Sequence, residues 1–279
     1  MKAYLGIFLF VGLLLAGCNE RTVTTDIPGC TDPASINYNP EATVDDGTCM
    51  EPQPKQWGFV LEYTATWCGP CGSSGAPKMH EMYQVGDVVG ITCHVDGDPM
   101  FNQELYNSFT SCRPTGGGIP SFWVGDQSGG NMGHLNTLMQ RNPDAGVVFA
   151  AEKNGNKMDV KVLSKFFNAV SGDYYLSVYI LESGIDGTTG EYEQNGASDP
   201  DYKHDFVLRS VATQSNAYGE KIASGNIQAG TSIRKDYSIT LDPSWTNDVY
   251  VAAVLWKKDS GSGMYEYVNA FEVGNHESH

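Results

Sequence analysis

Positive charge is scarce in this 279-residue chain: 17 Lys and Arg stand against 33 Asp and Glu, a formal net charge of −16. Nucleic-acid binding needs clustered Lys and Arg to neutralise phosphates, so no nucleic-acid partner is expected. An acidic surface instead keeps an exported protein soluble. Long apolar runs are missing too. Beyond the first residues, no segment reaches the ~20 apolar residues of a membrane helix. A second CxxC is absent, and Cys93 with His94 does not supply its equivalent, so a four-ligand zinc site is not expected. No stretch follows EF-hand spacing, and no internal repeat is convincing.

What the chain does have begins with an address. Lys2 precedes a short apolar run, Tyr4 to Leu15 (YLGIFLFVGLLL), followed by Ala16-Gly17-Cys18. Leu15-Ala16-Gly17-Cys18 resembles a bacterial lipobox. The resemblance implies cleavage before Cys18 and a diacylglyceryl group on its thiol, a lipid anchor in the cell envelope. Asn19 does not look like an inner-membrane retention signal, which favours the outer membrane, at its periplasmic face or at the cell surface. Cysteine usage agrees with that compartment. A lipidated Cys18 leaves six of seven cysteines, an even number suited to oxidising surroundings. Cys30 and Cys49 bound one local module, and Cys68 and Cys71 form a CxxC. Cys93 and Cys112 remain, as a third disulfide or as two buried thiols.

The order of segments follows from composition. Residues 1–17 read as the signal peptide and 18–28 as a polar tether. Residues 29–50 hold GCTDPASINYNPEATVDDGTC, rich in Asp, Asn, Pro and Gly and too poor in apolar residues to build a core without a staple. This stretch resembles a Cys-bounded module of Bacteroidota surface proteins, with Thr48 where Ser is usual. Asp32, Asn37, Asn39, Asp45 and Asp46 offer the hard oxygens that calcium takes. A turn-rich spacer is the favoured reading, and no other cofactor is called for. Residues 51–56 form a linker.

From Trp57 the pattern is α/β. GFVLEYTA reads as a buried strand, Ser73 to Val85 as a helix, and DVVGITCHVDG as a second strand. FNQELYNSF is a short amphipathic helix with Phe101, Leu105 and Phe109 on one face. IPSFWVGDQSGG is a strand ending in a Gly turn, and His134 to Asn142 a last helix. Beyond Asp144 the period becomes two. MDVKV, YYLSVYIL and DVYVAAVLW alternate, with further strand-like runs and no helices between, which predicts an antiparallel β-sandwich. The polar stretch from Gly184 to Lys203 reads as a surface excursion.

The chemistry concentrates in TATWCGPCGSSGAP. At a strand-to-helix turn, the first cysteine of a CxxC meets unpaired amides and the helix dipole, which favour thiolate. The second, one turn later, can attack a mixed disulfide and release the product. EYTATWCGPC, the downstream Pro77 and GGIPSFWVGDQSG resemble thioredoxin, over roughly Trp57 to Asn142. The resemblance implies a thioredoxin-like α/β domain (57–145) followed by the β-sandwich domain (146–279). It also implies roles: Cys68 as nucleophile, Cys71 as resolving thiol and Glu62 as buried proton carrier. Pro120 would be a cis proline that presents Ile119 to an extended substrate, with Trp67 as a platform. Gly72-Ser73-Ser74-Gly75-Ala76 departs from the pattern, placing Pro77 one residue later than usual after Cys71. Lipobox, dithiol unit and β-rich tail together are similar to a Bacteroidota family of outer-membrane lipoproteins.

The expected function is a lipid-anchored thiol–disulfide oxidoreductase. It would act on exported cysteine-containing proteins and would be recharged by a redox partner. The rival expectation, from another class, is a surface binding or structural lipoprotein with a permanently oxidised CxxC. His80 among methionines and His204 beside Asp205 carry less weight, because no nucleophile accompanies the latter pair.

Overall fold

The computed structural model describes residues 25–213, 216–274 and 276. The leader, the Cys18 lipidation site and most of the tether lie outside them. The first described module is held by a Cys30–Cys49 disulfide beside two-residue strands at Pro28–Gly29 and Val44–Asp45. Its polar side chains cap turns. Asp32, Asn39, Asp45 and Asp46 each accept the N–H two residues on, at 2.8–3.0 Å, and Asn37 accepts Met50 N at 2.8 Å. Asp and Asn suit such turns because their short acceptors mimic a backbone carbonyl. This is a different use from the calcium ligation considered above. Among the described residues, no group of three or more His, Cys, Asp or Glu could hold a metal ion.

The first half then runs β1 (Gly58–Thr64), α1 (Ala76–Tyr83), β2 (Val88–His94), α2 (Gln103–Cys112), β3 (Ser121–Val124) and α3 (Met132–Met139). β1 is buried at every position because it lies between parallel β2 and antiparallel β3. Its near-continuous apolar run reflects that two-sided burial. Asn102 and Asn131 cap α2 and α3 by accepting Leu105 N and His134 N, each at 3.1 Å.

The second half is mostly strand, with one short 3-10 turn at Gly190–Tyr192; its longer strands are β4 (Ala145–Asn154), β5 (Lys157–Phe166), β6 (Asp173–Ser183), β7 (Val207–Val211), β8 (Glu220–Ala223), β9 (Ser232–Thr240), β10 (Asp248–Lys258) and β11 (Tyr265–Glu272). The fold as a whole is β-rich. β9, β5 and β4 form a three-stranded antiparallel sheet. It packs against β6 and β10, burying Phe149, Val160, Val162, Phe166, Val178 and Val251.

The expected boundary at 145/146 is not a break in the packing. One sheet runs β11–β10–β6–β7–β2–β1–β3, so strands from both halves share it. β6 and β10 are buried on both faces. Val251, Ala253 and Leu255 face the three-stranded sheet, while Tyr250, Ala252, Val254 and Trp256 join the core beneath the helices. There Phe59 meets Trp256 edge-on at 5.1 Å between ring centroids.

Three polar joints fasten the halves. Thr92 N donates to Phe206 O at 2.8 Å, and Val207 pairs with Thr92 in parallel register. Phe206 itself has φ +62°, an uncommon left-handed conformation, with its ring buried against Tyr83 at 4.4 Å. The buried Arg113 donates to Gly125 O (3.1 Å) and Tyr218 Oη (3.2 Å), pairs with Asp126 (2.6 Å), and lies 4.5 Å from the Trp256 ring centroid. Buried Asn269 accepts Trp57 N (2.9 Å) and donates to Lys55 O and Ala145 O (both 3.0 Å).

Candidate redox site

β1 delivers the chain to a tight turn, Ala65 to Trp67, and Cys68 and Cys71 follow, joined as a disulfide. Cys68 is 6% exposed and Cys71 1%, so the first sulfur is the nearer to solvent. Cys71 N donates to Cys68 Sγ at 3.2 Å. Cys71–Gly75 form a single π-helical turn before α1 begins. A π turn takes in one residue more than an α turn. The insertion before Pro77 is therefore absorbed as the chain leaves the dithiol, and α1 starts in order.

The two glycines of that turn have packing reasons. A Cβ on Gly75 would overlap Glu62 Oε1 and stand 3.0 Å from Pro120 Cβ; one on Gly72 would come within 2.5 Å of Asn195 O. Close approach on two sides offsets the ~1 kcal/mol that each glycine costs a helix relative to alanine.

Glu62 is fully buried in β1 beneath the turn, and its Oε1 has no hydrogen-bond partner among the described residues. Burial pushes its carboxyl up to about 8, with Lys78 working against that rise. The Ile119–Pro120 peptide is cis, and Ile119 O lies 3.8 Å from Cys68 Sγ. Trp67 is 52% exposed beside the dithiol. The structure thus gathers Cys68, Cys71, Glu62, Trp67, Ile119 and Pro120 in one place.

Cys93 and Cys112 stay outside it. Both are buried free thiols, not the third disulfide considered above. Cys93 points into the core from β2 and Cys112 ends α2. Burial pushes the Cys93 thiol far up, which leaves it inert.

Sequence reasoning missed the other wall of the site. The segment from Gly184 to Lys203 folds back as a strap over the dithiol turn. Gln194 Nε2 donates to Cys68 O (3.1 Å) and Ala65 O (3.2 Å), Asn195 N to Thr66 O (2.7 Å), and Asn195 Nδ2 to Trp67 O (3.3 Å). Gly196, at φ +78°, lies so close to Gly69 that a Cβ there would overlap Gly69 O. Such a contact uses backbone acceptors and a missing Cβ, neither of which marks a sequence.

Behind the strap lies a buried polar cluster. His94 Nδ1 is 2.9 Å from Asp98 Oδ1, and Asp98 Oδ2 accepts Thr66 N at 2.6 Å. Burial opposes the charge of Asp98, but His94 and the Thr66 and Met100 N–H groups outweigh it and hold the carboxyl at about 2. His204 contacts His94 edge-on at 5.7 Å, and burial, with His94 adding to it, pushes its imidazole down to about 4. His80 Nε2 stands 3.7 Å from Asp205 Oδ2.

Residues 123–275, more than half of the chain, match the family of the outer membrane protein Omp28. The chain belongs to the Omp28 family. Membership places it in the cell envelope, at the outer membrane. The match begins inside β3, so the CGPC turn precedes it. No curated protein matches the sequence. Among solved structures, HBP35 of Porphyromonas gingivalis is similar in fold at 16% identity and a TM-score of 0.64, covering 80% of this chain and 76% of that one. Spo0M from Bacillus subtilis matches at 17% identity and a TM-score of 0.25, over 49% of this chain and 50% of that one. The E. coli curli protein CsgC matches at 11% and 0.20, over 47% of this chain and 99% of that one. Neither of these superposes well enough to carry an argument.

Proposed function

We propose that this Omp28-family protein is a thiol–disulfide oxidoreductase of the outer membrane, built on a thioredoxin-like dithiol unit and anchored through a lipid on Cys18. The observation that carries the reading is the neighbourhood of the dithiol. The less buried cysteine, Cys68, heads a helix; its partner Cys71 is more deeply buried; a fully buried carboxyl, Glu62, sits beneath the same turn. Cys68 thiolate attacks a disulfide of an exported protein, and that protein's first sulfur departs as a thiol. Cys71 then displaces the second sulfur and closes the Cys68–Cys71 bond, so two electrons pass from the dithiol to the substrate. Glu62 takes the Cys71 proton, and Trp67, Ile119 and Pro120 flank the approach. A dithiol protein partner returns the electrons.

A second reading has its own observation. The strap holds four carbonyl groups of the dithiol turn, an arrangement suited to a permanent staple on a binding or structural protein. Equilibrating the mature, unlipidated chain against glutathione buffers separates the two. A reversible couple near roughly −270 mV is expected for a reductant, and one near roughly −120 mV would make the protein an oxidant. A disulfide that yields only when the chain unfolds would overturn the oxidoreductase reading in favour of the staple.

A further inference from the structure

Glu62 meets the π turn and Pro120 on its dithiol side, but its other flank opens inward. A cavity of about 10 Å³ there is lined by Glu62, Thr64, His94 and His204. That is near the lower limit for one water molecule. It backs onto a surface pocket of about 190 Å³ bordered by Gly72, Pro77, Asp201 and Lys203. Ala76, His80, Tyr202 and Asp205 line both, so the two spaces adjoin across this wall. His80 is 21% exposed at the side chain and faces the carboxylate of Asp205, which is 1% exposed and accepts Gly184 N at 2.8 Å.

Resting on the oxidoreductase reading, we propose that Glu62 exchanges its proton with solvent through this passage, with Tyr202, His80 and Asp205 as the outer relay. The C-terminal half then supplies the proton path of the dithiol. Glu62 holds a proton at neutral pH and first loses it through the passage; in the resolving step the Cys71 thiol gives its proton to the carboxylate so formed. The Cys71 thiolate forms the bond to Cys68, the bond from Cys68 to the substrate breaks, and the substrate thiolate takes a proton from solvent. The proton that Glu62 loses must cross the core, and the Glu62 side chain, whose Oε1 has no partner among the described residues, lines the small cavity. One water there links it to His80 and Asp205 at the pocket mouth. The charged and titratable groups around Glu62 are Lys78 and His80 from α1, His94 from β2, Tyr202 from the end of the strap, and His204 and Asp205 just after it. Lys78 favours the carboxylate, whereas Tyr202 and the buried His204 stay neutral at neutral pH.

The test uses the reduced mature chain and an aromatic disulfide whose released thiol is coloured. Attack by Cys68 releases the first thiol, and resolution by Cys71 releases the second. Glu62→Gln is expected to slow the second phase by about 10²-fold or more, the low end of general acid–base effects. His80→Ala, Asp205→Asn and the pocket-filling Ala76→Leu are expected to lower the ratio of second-phase to first-phase rate about tenfold at neutral pH. Added imidazole restores the ratio for His80→Ala. Wild-type protein needs no variant to fold: its second phase should show a solvent hydrogen isotope effect and an alkaline inflection. If Glu62→Gln slows the second phase while His80→Ala and Ala76→Leu leave the ratio unchanged, the proton leaves elsewhere and the relay is wrong, though the oxidoreductase stands. Absence of the isotope effect also overturns the relay. If wild type releases no thiol in either phase, the oxidoreductase reading itself has failed.

Discussion

The strap can be tested against its own backbone. Gly196 sits at φ +78° with its Cα facing Gly69, while Gly155, in the β4–β5 turn, has φ +62° and open space, with nothing within 4 Å of where a Cβ would stand. Alanine at either position pays the left-handed penalty of about 1–2 kcal/mol. Only at Gly196 does the new Cβ overlap a backbone oxygen that cannot rotate away. The strap has to lift there, and four hydrogen bonds to the carbonyls of Ala65, Thr66, Trp67 and Cys68 loosen together. At a net ~1 kcal/mol for each, less for the partly exposed Asn195 amide, and with the left-handed penalty added, Gly196→Ala should cost about 4–6 kcal/mol against about 1–2 for Gly155→Ala. Urea unfolding of the oxidised chain gives both values, and amide exchange locates the loss. Protection at Cys71 and Gly72 should fall in Gly196→Ala and hold in Gly155→Ala. Equal destabilisation of the two variants, with protection unchanged, would show that the strap does not brace the dithiol turn.

Other outcomes follow from buried charge. Glu62 keeps its proton to about pH 8 when folded but only to about its ordinary 4.5 when unfolded, so the folded state binds the extra proton between those values. That contribution to stability is full below pH 4.5 and is lost as pH rises through 8. Glu62→Gln should therefore be nearly neutral at pH 5 and stabilising by on the order of a few kcal/mol at pH 9, measured by thermal unfolding; a pH-independent difference would contradict it. Glu272, also raised to about 8 by burial against the opposing Tyr83 bond, should behave alike as Glu272→Gln. Arg113→Met should cost about 3 kcal/mol, the low end for breaking a buried pair, because it leaves half-buried Asp126 and buried Tyr218 without their partner between the two halves. Arg113→Lys should recover less than half of that, since an ammonium cannot reach Gly125 O, Tyr218 and Asp126 from one planar fork; full recovery would mean that charge alone matters there.

The dithiol was legible in the sequence because its chemistry fixes its spacing. A strand, CGPC, a helix and a later Gly-Ile-Pro leave a linear trace, and the structure brings those residues together. The strap left none. Its residues are polar and turn-forming, as a solvated loop would be, and its contacts run through backbone oxygens. The two glycines of the π turn cost a helix on propensity alone, and their compensation, Glu62 and Asn195, comes from other segments. Alternation in β6 and β10 was visible, but a period of two reports that side chains alternate between faces and not that both faces are buried. The change of period after Asp144 marked a change of element type. It was silent on packing, since Phe59 and Trp256 lie 197 positions apart and share one core.

Asn269 has a consequence in time. It ties the carbonyl of Lys55 and the amide of Trp57 to a strand that leaves the export machinery 212 residues after Trp57. An exported chain emerges from its N-terminus, so the segment carrying the dithiol is in the envelope long before the strand that completes its core. Contacts this distant in sequence form slowly, and apolar β1 stays open to wrong partners in the interval. The two short disulfide loops, 3 and 19 residues in separation, can close during that wait. Both loops are local, so their closure does not depend on the strand that completes the core.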